Sequence, residues 1–464
     1  MWDLLKHKNK IAFLTDDSTQ NISYQGLVDF SHEFSKKVCT RALGIILCSN
    51  TIGSVAGYIS CIQNRIVPLL LPSDISLDLL QNFISIYKPS FLWIPDNIAI
   101  YENALINFKQ FGYTLKGLSQ NENNLYKDLA LLLTTSGSTG SPKLVRLSYA
   151  NVKSNAVSIS KYLNLNSEER PITTLPMNYS YGLSVINSHL EVGATILLTN
   201  KSIFDRGFWS FLKGEKATSI AGVPYTYEML ERLRFLRMEL PYLKTLTQAG
   251  GKLSESLHLK FADYASKTGK KFFVMYGQSE ATARISYLPY ERCLEKVGSV
   301  GIAIPGGNVK IQIDEISTEN TKTRSGELVY TGDNVSLGYA TSLKDLEKGD
   351  DNKGILHTGD IARLDNDGYI YIIGRKKRFL KVFGNRVNLD EIEYLIKSRF
   401  NDIECACTGT DDLLKIYLTD QKFSDEVKYY LADITKLNFS AFNVIIIDKI
   451  PSSDSGKTLY SLLS

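Results

Sequence analysis

Leu131, Leu132 and Leu133 run directly into Thr134-Thr135-Ser136-Gly137-Ser138-Thr139-Gly140-Ser141-Pro142-Lys143, and no other stretch limits the fold as tightly. Three consecutive leucines read as the end of a buried strand. The following residues gather hydroxyls, two glycines and a lysine into one loop. Glycine lets backbone N–H groups approach an anion, hydroxyls add donors, and lysine adds a charge. A strand feeding such a loop, with a helix expected over 150–163, predicts an α/β domain that holds a polyphosphate. The Walker A spacing does not fit. Gly137 and Gly140 are too close together, no lysine follows Gly140, and the Gly456-Lys457-Thr458 run has Pro451 where its first glycine belongs.

Upstream, apolar runs at 43–48, 67–71 and 91–94 read as strands. They alternate with helical spacing over 23–38, 52–64 and 77–87, with Ser23 in a capping position. That alternation predicts a sheet with parallel pairings, and 121–127 reads as a loop. A chain of 464 residues asks for a large body and something smaller, and 44% hydrophobic residues is the content of a folded protein. A net charge of +4 neither demands nor forbids an anionic partner. The five histidines have no metal-ligand spacing, and Cys405-x-Cys407 is neither a zinc nor a thioredoxin spacing, so reduced structural thiols and a cytoplasmic location are expected. No run approaches the roughly 20 apolar residues of a membrane span, and the N-terminus lacks a signal-peptide core. The four basic residues Arg375–Arg378 have no second cluster to support them, which argues against nucleic acid.

The loop TSGSTGSPK resembles the phosphate loop of the adenylate-forming superfamily, which comprises acyl-CoA synthetases, peptide-synthetase adenylation domains and beetle luciferases. Further motifs resemble that family in its order over essentially the whole chain: Pro176–Gly182, Ala221–Tyr227, Leu243–Leu253, Tyr276–Glu280, His357–Asp360, Gly374–Arg378 and Pro451–Thr458. The resemblance implies a large N-terminal domain over 1–374, with α/β subdomains and a β-rich portion. A small mobile α+β lid over 375–464 would hinge near Lys377.

The implied reaction is ATP-dependent acid–thiol ligation through an acyl-AMP, with Mg²⁺ and either CoA or carrier-protein phosphopantetheine. By the same resemblance Thr135, Ser136, Gly137, Ser138, Thr139, Gly140 and Lys143 cradle phosphate, and Glu280 with Thr135 places Mg²⁺. Ala249, Gly250 and Gly251 approach the adenine, Tyr276 stacks on it, and Gly277, Gln278 and Ser279 complete that edge, Ser279 at the α-phosphate. Asp360 takes the ribose hydroxyls, Arg375 the ribose or a phosphate. Lys457 serves adenylation, and Lys381 and Gly384 lie near the thiol tunnel. Tyr179, Tyr181, Gly182, Tyr225, Tyr227 and Gln248 are the candidate acid pocket. Their tyrosines favour a compact or partly polar acid over a long fatty chain. Amino-acid-activating members have aspartate where Tyr179 falls, so an α-amino acid is disfavoured. The glycine-rich stretches 298–307 and 326–339 are expected to be structural, without chemistry. Carrier-protein loading, a luciferase-type oxidation and a catalytically dead copy are the alternatives; Glu280, Asp360, Arg375 and Lys457 together speak against the last.

Overall fold

The computed structural model describes the chain apart from residues 17–19, 99, 101–107, 119–123, 135–142, 314–324, 383–384, 401–402, 411, 436, 453–457 and 464, and the side chains of 377, 379, 381, 385 and 386. The described chain forms two compact units, 1–308 with 331–356, and 309–330 with 357–464. Among the described residues no helix is long and apolar enough to cross a membrane.

The first unit is built on two large sheets. Leu43–Cys48 is buried at every position, as a continuous apolar run must be when both faces of a strand are covered. It pairs in parallel with Val67–Pro72 and Phe91–Pro95 inside an eight-stranded sheet. One core cluster joins Ile46, Leu70 and Leu131 of this sheet to Phe13, Ile196 and Leu198 of the second. The helix Ile52–Gln63 belongs to that cluster and is buried along almost its whole length, which its small residues permit. A Cβ on Gly57 would stand 2.4 Å from the Trp93 ring, and Trp93 Nε1 donates to the Gly53 carbonyl at 2.8 Å. A helical glycine costs about 0.5–1 kcal/mol. Burying a tryptophan removes roughly 200 Å² from water, worth about 5 kcal/mol at ~25 cal/mol per Å², so the glycines are a small cost beside what they admit.

The second sheet has nine strands, and its parallel run Ser219–Gly222, Thr245–Gln248 and Lys271–Tyr276 is in register, Gly222 beside Gln248 and Gln248 beside Val274. The C-terminal ends of these strands therefore lie side by side, the place where open α/β sheets collect ligands. Two helices, Tyr149–Tyr162 and Ser180–Glu191, pack against each other beside this sheet.

The phosphate-loop context differs from expectation. Residues 135–142 lie outside the described residues, but they separate two antiparallel strands, Leu129–Thr134 and Leu144–Ser148, and do not join a strand to a helix. The helix begins only at Tyr149, capped by Ser148 and Asn151 reciprocally. Arg146 hides the extra strand in the sequence. It is fully buried, bonded to the carbonyls of Leu337, Tyr339, Lys348 and Gly349 and paired with Asp351.

The second unit holds a four-stranded sheet ending in the antiparallel pair Ile355–Leu364 and Ile370–Arg375, and a three-stranded sheet of Cys405–Thr410, Leu413–Leu418 and Phe442–Ile446. The helices Leu389–Arg399 and Ser424–Thr435 cover the latter. Cys405 and Cys407 point to one face of their strand and fill this core, where burial pushes the Cys405 thiol up to about 12. Gly374 lies within the strand Ile370–Arg375, and a Cβ there would meet the Asn388 side chain at 2.5 Å. Asn388 is the N-cap of Leu389–Arg399, accepting from Asp390 N and donating to the Ile373 carbonyl.

Candidate active site

The strand Lys271–Tyr276 ends in a loop folded tightly on itself. A Cβ on Gly277 would lie 1.8 Å from the Ala283 carbonyl oxygen, so only glycine fits. Thr282 turns the chain back with φ of 62°, a left-handed conformation that a β-branched residue adopts only under constraint. The constraint comes from Asn334, whose carbonyl accepts from the Thr282 hydroxyl and whose amide donates to the carbonyls of Ala281 and Arg284. Within this loop Gln278 Nε2 donates to the Tyr276 hydroxyl, and Ser279 Oγ donates to Ser180 Oγ at 3.1 Å. Ser180 opens the helix Ser180–Glu191, whose N-terminus no side chain caps. The positive end of a helix therefore lies beside Ser279, a favourable setting for an anion.

Glu280 and Lys143 are brought together by a residue to which the sequence reading gave no chemistry. Tyr339 Oη donates to Glu280 Oε1 at 2.8 Å, and Lys143 Nζ sits 3.4 Å from the centre of the Tyr339 ring. Tyr339 arrives through the strand Gly338–Ala340, which pairs with Leu144–Ser148 and sets Tyr339 opposite Val145. Partial burial and the neighbouring carboxylate hold its phenol well above the usual range, so it stays a hydrogen-bond donor. Glu280 is half-buried, and its second oxygen has no partner among the described residues. No group of three or more His, Cys, Asp or Glu side chains able to hold a metal occurs among the described residues. One carboxylate suits Mg²⁺, which takes one or two from a protein and fills its octahedron with water and substrate phosphates. The residues present fit the ion.

At the neighbouring strand end, Gln248 Nε2 donates to the Gly251 carbonyl and ties the Ala249-Gly250-Gly251 turn, while its buried Oε1 lacks a partner. Gly250 has φ of 85°, and a Cβ there would meet the Tyr179 hydroxyl at 2.7 Å. The turn thus packs against Tyr179, as a shallow flat floor requires.

Behind these strand ends lies a small cavity of about 20 Å³, room for roughly one water. Tyr181, Ser184 and His189 line it from one face of the helix, Thr247 and Met275 from the strands, and Arg284 from the end of the loop. Tyr181 donates to the Thr247 carbonyl. His189 is buried, with Nδ1 on the Val185 carbonyl at 2.8 Å; a carbonyl only accepts, so Nδ1 carries the proton. Burial holds this imidazole down at about 4, so it is neutral, and Nε2 is an acceptor without a partner.

Arg284 is 3% exposed and forms no ion pair with a described acidic side chain. Its guanidinium lies 4.1 Å from the centre of the Tyr181 ring. Its contacts to Ser184 Oγ and the Ala283 carbonyl are long, 3.3 and 3.4 Å, and Nε has none. Sequence reading gave Arg284 no role; its signal was a lone charge between Ala283 and the strand Ser286–Tyr287.

The other pocket candidates do not line this cavity. Tyr225 is 53% exposed, and Tyr227 is buried against Phe261 and Phe272. Gly182 has a steric task, since a Cβ would lie 2.2 Å from the Pro176 carbonyl oxygen.

In the second unit Asp360 and Arg375 stand directly opposite in the antiparallel pair, with Arg375 Nε 3.8 Å from Asp360 Oδ1. Asp360 is mostly buried while Arg375 is exposed, so the arginine is available to a ligand. The basic run resolves into separate tasks. Lys376 pairs with Glu327 at 3.0 Å, and Arg378 is buried against Glu393 at 2.6 Å and over the Tyr460 ring. Two of the four basic residues are thus spent on internal partners. Thr135, Ser136, Gly137, Ser138, Thr139, Gly140, Gly384 and Lys457 lie outside the described residues, as do the side chains of Lys377 and Lys381. Ser452 and Thr458, on either side of Lys457, pair with each other.

Residues 89–340 match the family model for AMP-binding enzymes. The chain belongs to the AMP-binding enzyme family. It is 30% identical over 296 residues to feruloyl-CoA synthase from an Amycolatopsis species, a match covering 61% of this chain and 57% of that protein. It is 28% identical over 342 residues to 2-succinylbenzoate–CoA ligase from Bacillus licheniformis, covering 72% and 69%. The fold is that of o-succinylbenzoate coenzyme A synthetase from Bacillus subtilis solved with ATP and magnesium ion. The TM-score is 0.80 at 22% identity, over 99% of this chain and 98% of the other.

Proposed function

We propose that this AMP-binding enzyme activates a small carboxylic acid as its acyl-AMP and passes the acyl group to the pantetheine thiol of CoA. The observation that carries the reading is the Lys143–Tyr339–Glu280 arrangement in the unit whose strand ends bear Ser279 and the Gln248–Gly251 turn. A carboxylate oxygen attacks the α-phosphorus, the bond to the β-phosphate oxygen breaks, and pyrophosphate leaves. A thiolate then attacks the acyl carbonyl and AMP leaves.

Mg²⁺, held by Glu280 with Thr135, would neutralise phosphate charge as pyrophosphate departs. Lys143 adds a cation, and the uncapped helix end at Ser180 favours negative charge. Asp360 and Arg375 are read as ribose contacts, and Lys457 as the lysine of the adenylation step. Residues 375–464 are read as a lid pivoting at Lys377. Family membership and CoA ligases among the relatives support the chemistry; six unpaired cysteines accord with a cytosolic setting.

Acid-dependent ATP–pyrophosphate exchange over a panel of acids tests this. Exchange that requires both acid and Mg²⁺ is expected, and CoA consumption should follow with the same acid. No exchange from folded protein with any acid would sink the adenylation reading. Transfer to a holo-carrier protein and not to CoA would change the acceptor only.

A further inference from the structure

We infer that Arg284 reads a second anionic group on the substrate, so that the acid is a compact dicarboxylic acid; this rests on the adenylation reading above. Arg284 is almost wholly buried and lines the cavity, yet no acidic side chain among the described residues pairs with it. A buried charge is ordinarily paired, because leaving water is costly without a counterion and full hydrogen bonding. Here one face of the guanidinium rests on Tyr181, and its polar contacts are two long hydrogen bonds and the Tyr162 hydroxyl, none of them charged. Nε–H has no acceptor. An arginine offers five donors in a plane, and a carboxylate is the group that takes two of them side by side.

The backbone that carries Arg284 is fixed. The Arg284 carbonyl accepts from Asn334 at 2.7 Å, Ile285 N donates to the Tyr276 carbonyl, and Gly277 admits the fold of the loop. Tyr276 ends the strand at the proposed reaction edge, whereas Met275 and Thr247, one residue back on their strands, line the cavity. An acid with its reacting carboxylate at Ser279 therefore directs its tail into the space that Arg284 borders. The cavity has room for about one water and must widen to take a carboxylate, so a short tail suits it better than a long one, and Arg284 supplies the cation that an anionic tail needs.

The test uses the full chain and short diacids from malonate to adipate, with a phthalate-type aromatic diacid, each beside its own half-amide. Exchange should favour one diacid over its half-amide by at least about 100-fold in kcat/KM, as expected when a buried polar group is left unpaired. Arg284→Met should bring kcat/KM for the diacid down to that of its half-amide, and Arg284→Lys should restore part of the preference. Where Arg284→Met is poorly folded, Arg284→Lys and Arg284→Gln carry the comparison. Separately, the diacid without nucleotide should raise the melting temperature of the wild type and not of Arg284→Met. Equal use of diacid and half-amide, or discrimination that survives Arg284→Met, overturns the inference, and so does the absence of any diacid effect on exchange or melting. Diacid binding that needs Arg284, without exchange, would uphold the anion site and remove the adenylation reading instead.

Discussion

Tyr339 carries two tasks that can be separated by one oxygen atom. Its ring supports the Lys143 ammonium and its hydroxyl holds one oxygen of Glu280. Tyr339→Phe keeps the ring and loses the hydrogen bond, which to a charged acceptor is worth about 1.5–3 kcal/mol. Part of that returns as water solvates the freed oxygen, so a rise of about 5- to 50-fold in the KM for MgATP is expected, with Tyr339→Leu worse because the ammonium also loses its π face. Equal KM values for wild type and Tyr339→Phe would show that the hydroxyl does not position Glu280. His189 gives a second residue-scale outcome, through pH. Its folded value is about 4 against an ordinary 6.5, because burial opposes charging while its Nδ1 bond to Val185 and distant Glu169 pull the other way. Between those values the unfolded chain binds the proton and the folded one does not, so stability rises with pH across that window and is fully present above about 6.5. The contribution is roughly 3 kcal/mol at most, at ~1.4 kcal/mol per pH unit. Denaturant titrations at pH 4.5 and 7 should show a larger loss for wild type than for His189→Leu; equal losses would rule His189 out as the source.

Elements with local causes were the ones legible in the sequence. Leu77–Tyr87 is a helix over the span its apolar spacing gave, and Ser23 caps Tyr24–Ser35 by accepting from Gly26 N. The loop at 276–280 was recognised because glycine, a hydroxyl and a carboxylate follow a strand in sequence. Tyr339 and Arg146 were not, because their partners are supplied by segments about 60 to 200 residues away and periodicity carries no such information. Arg284 was missed for a related reason, since a charge inside a cavity looks from sequence like any surface arginine. The Arg378 cluster shows what such long-range burial is worth at the level of an element. Arg378 joins the start of the hairpin Phe379–Asn388 to the helix Leu389–Arg399 through Asp390 and Glu393, and Glu393 also accepts from Cys407 N and Tyr460. Arg378→Met strands two carboxylates, one of them buried, and should cost about 3–5 kcal/mol. Replacing Arg378 and Glu393 together by apolar residues should recover much of the loss, because the penalty lies in the unpaired charge and not in the missing pair. Calorimetry of the single and double variants checks this; a double variant as unstable as the sum of the singles would mean that the two side chains act independently, through other contacts.

For the whole molecule the decisive fact is that each compact unit packs its own core. The cluster around Ile392, Ile396, Cys407, Ile416 and Leu431 draws entirely on the second unit, and the cluster around Ile46, Leu131 and Ile196 entirely on the first. Units with separate cores can change relative position without unfolding, which a two-step ligase needs if adenylation and thiol attack use different groups. The candidate residues divide the same way, Lys143, Ser279, Glu280 and Arg284 in one unit and Asp360, Arg375 and Lys457 in the other. Lys457 stands one residue before Thr458, whose pairing with Ser452 is reinforced by Leu459 N on the Pro451 carbonyl at 2.8 Å. Circular dichroism of the substituted chain should match that of the wild type, which would confine the effect to chemistry. Lys457→Ala is expected to lower acid-dependent pyrophosphate exchange by about 100- to 1000-fold, the usual loss when one group stabilising transition-state charge is removed. Thioester formation from supplied acyl-AMP and CoA should stay within a few-fold of wild type, because pyrophosphate has already left and the charge that Lys457 would neutralise is gone. Measuring both half-reactions on one preparation separates the accounts. A parallel fall in both would mean that Lys457 serves a single arrangement used throughout, and the proposal of a lid that exchanges one task for another would have to be abandoned for this chain.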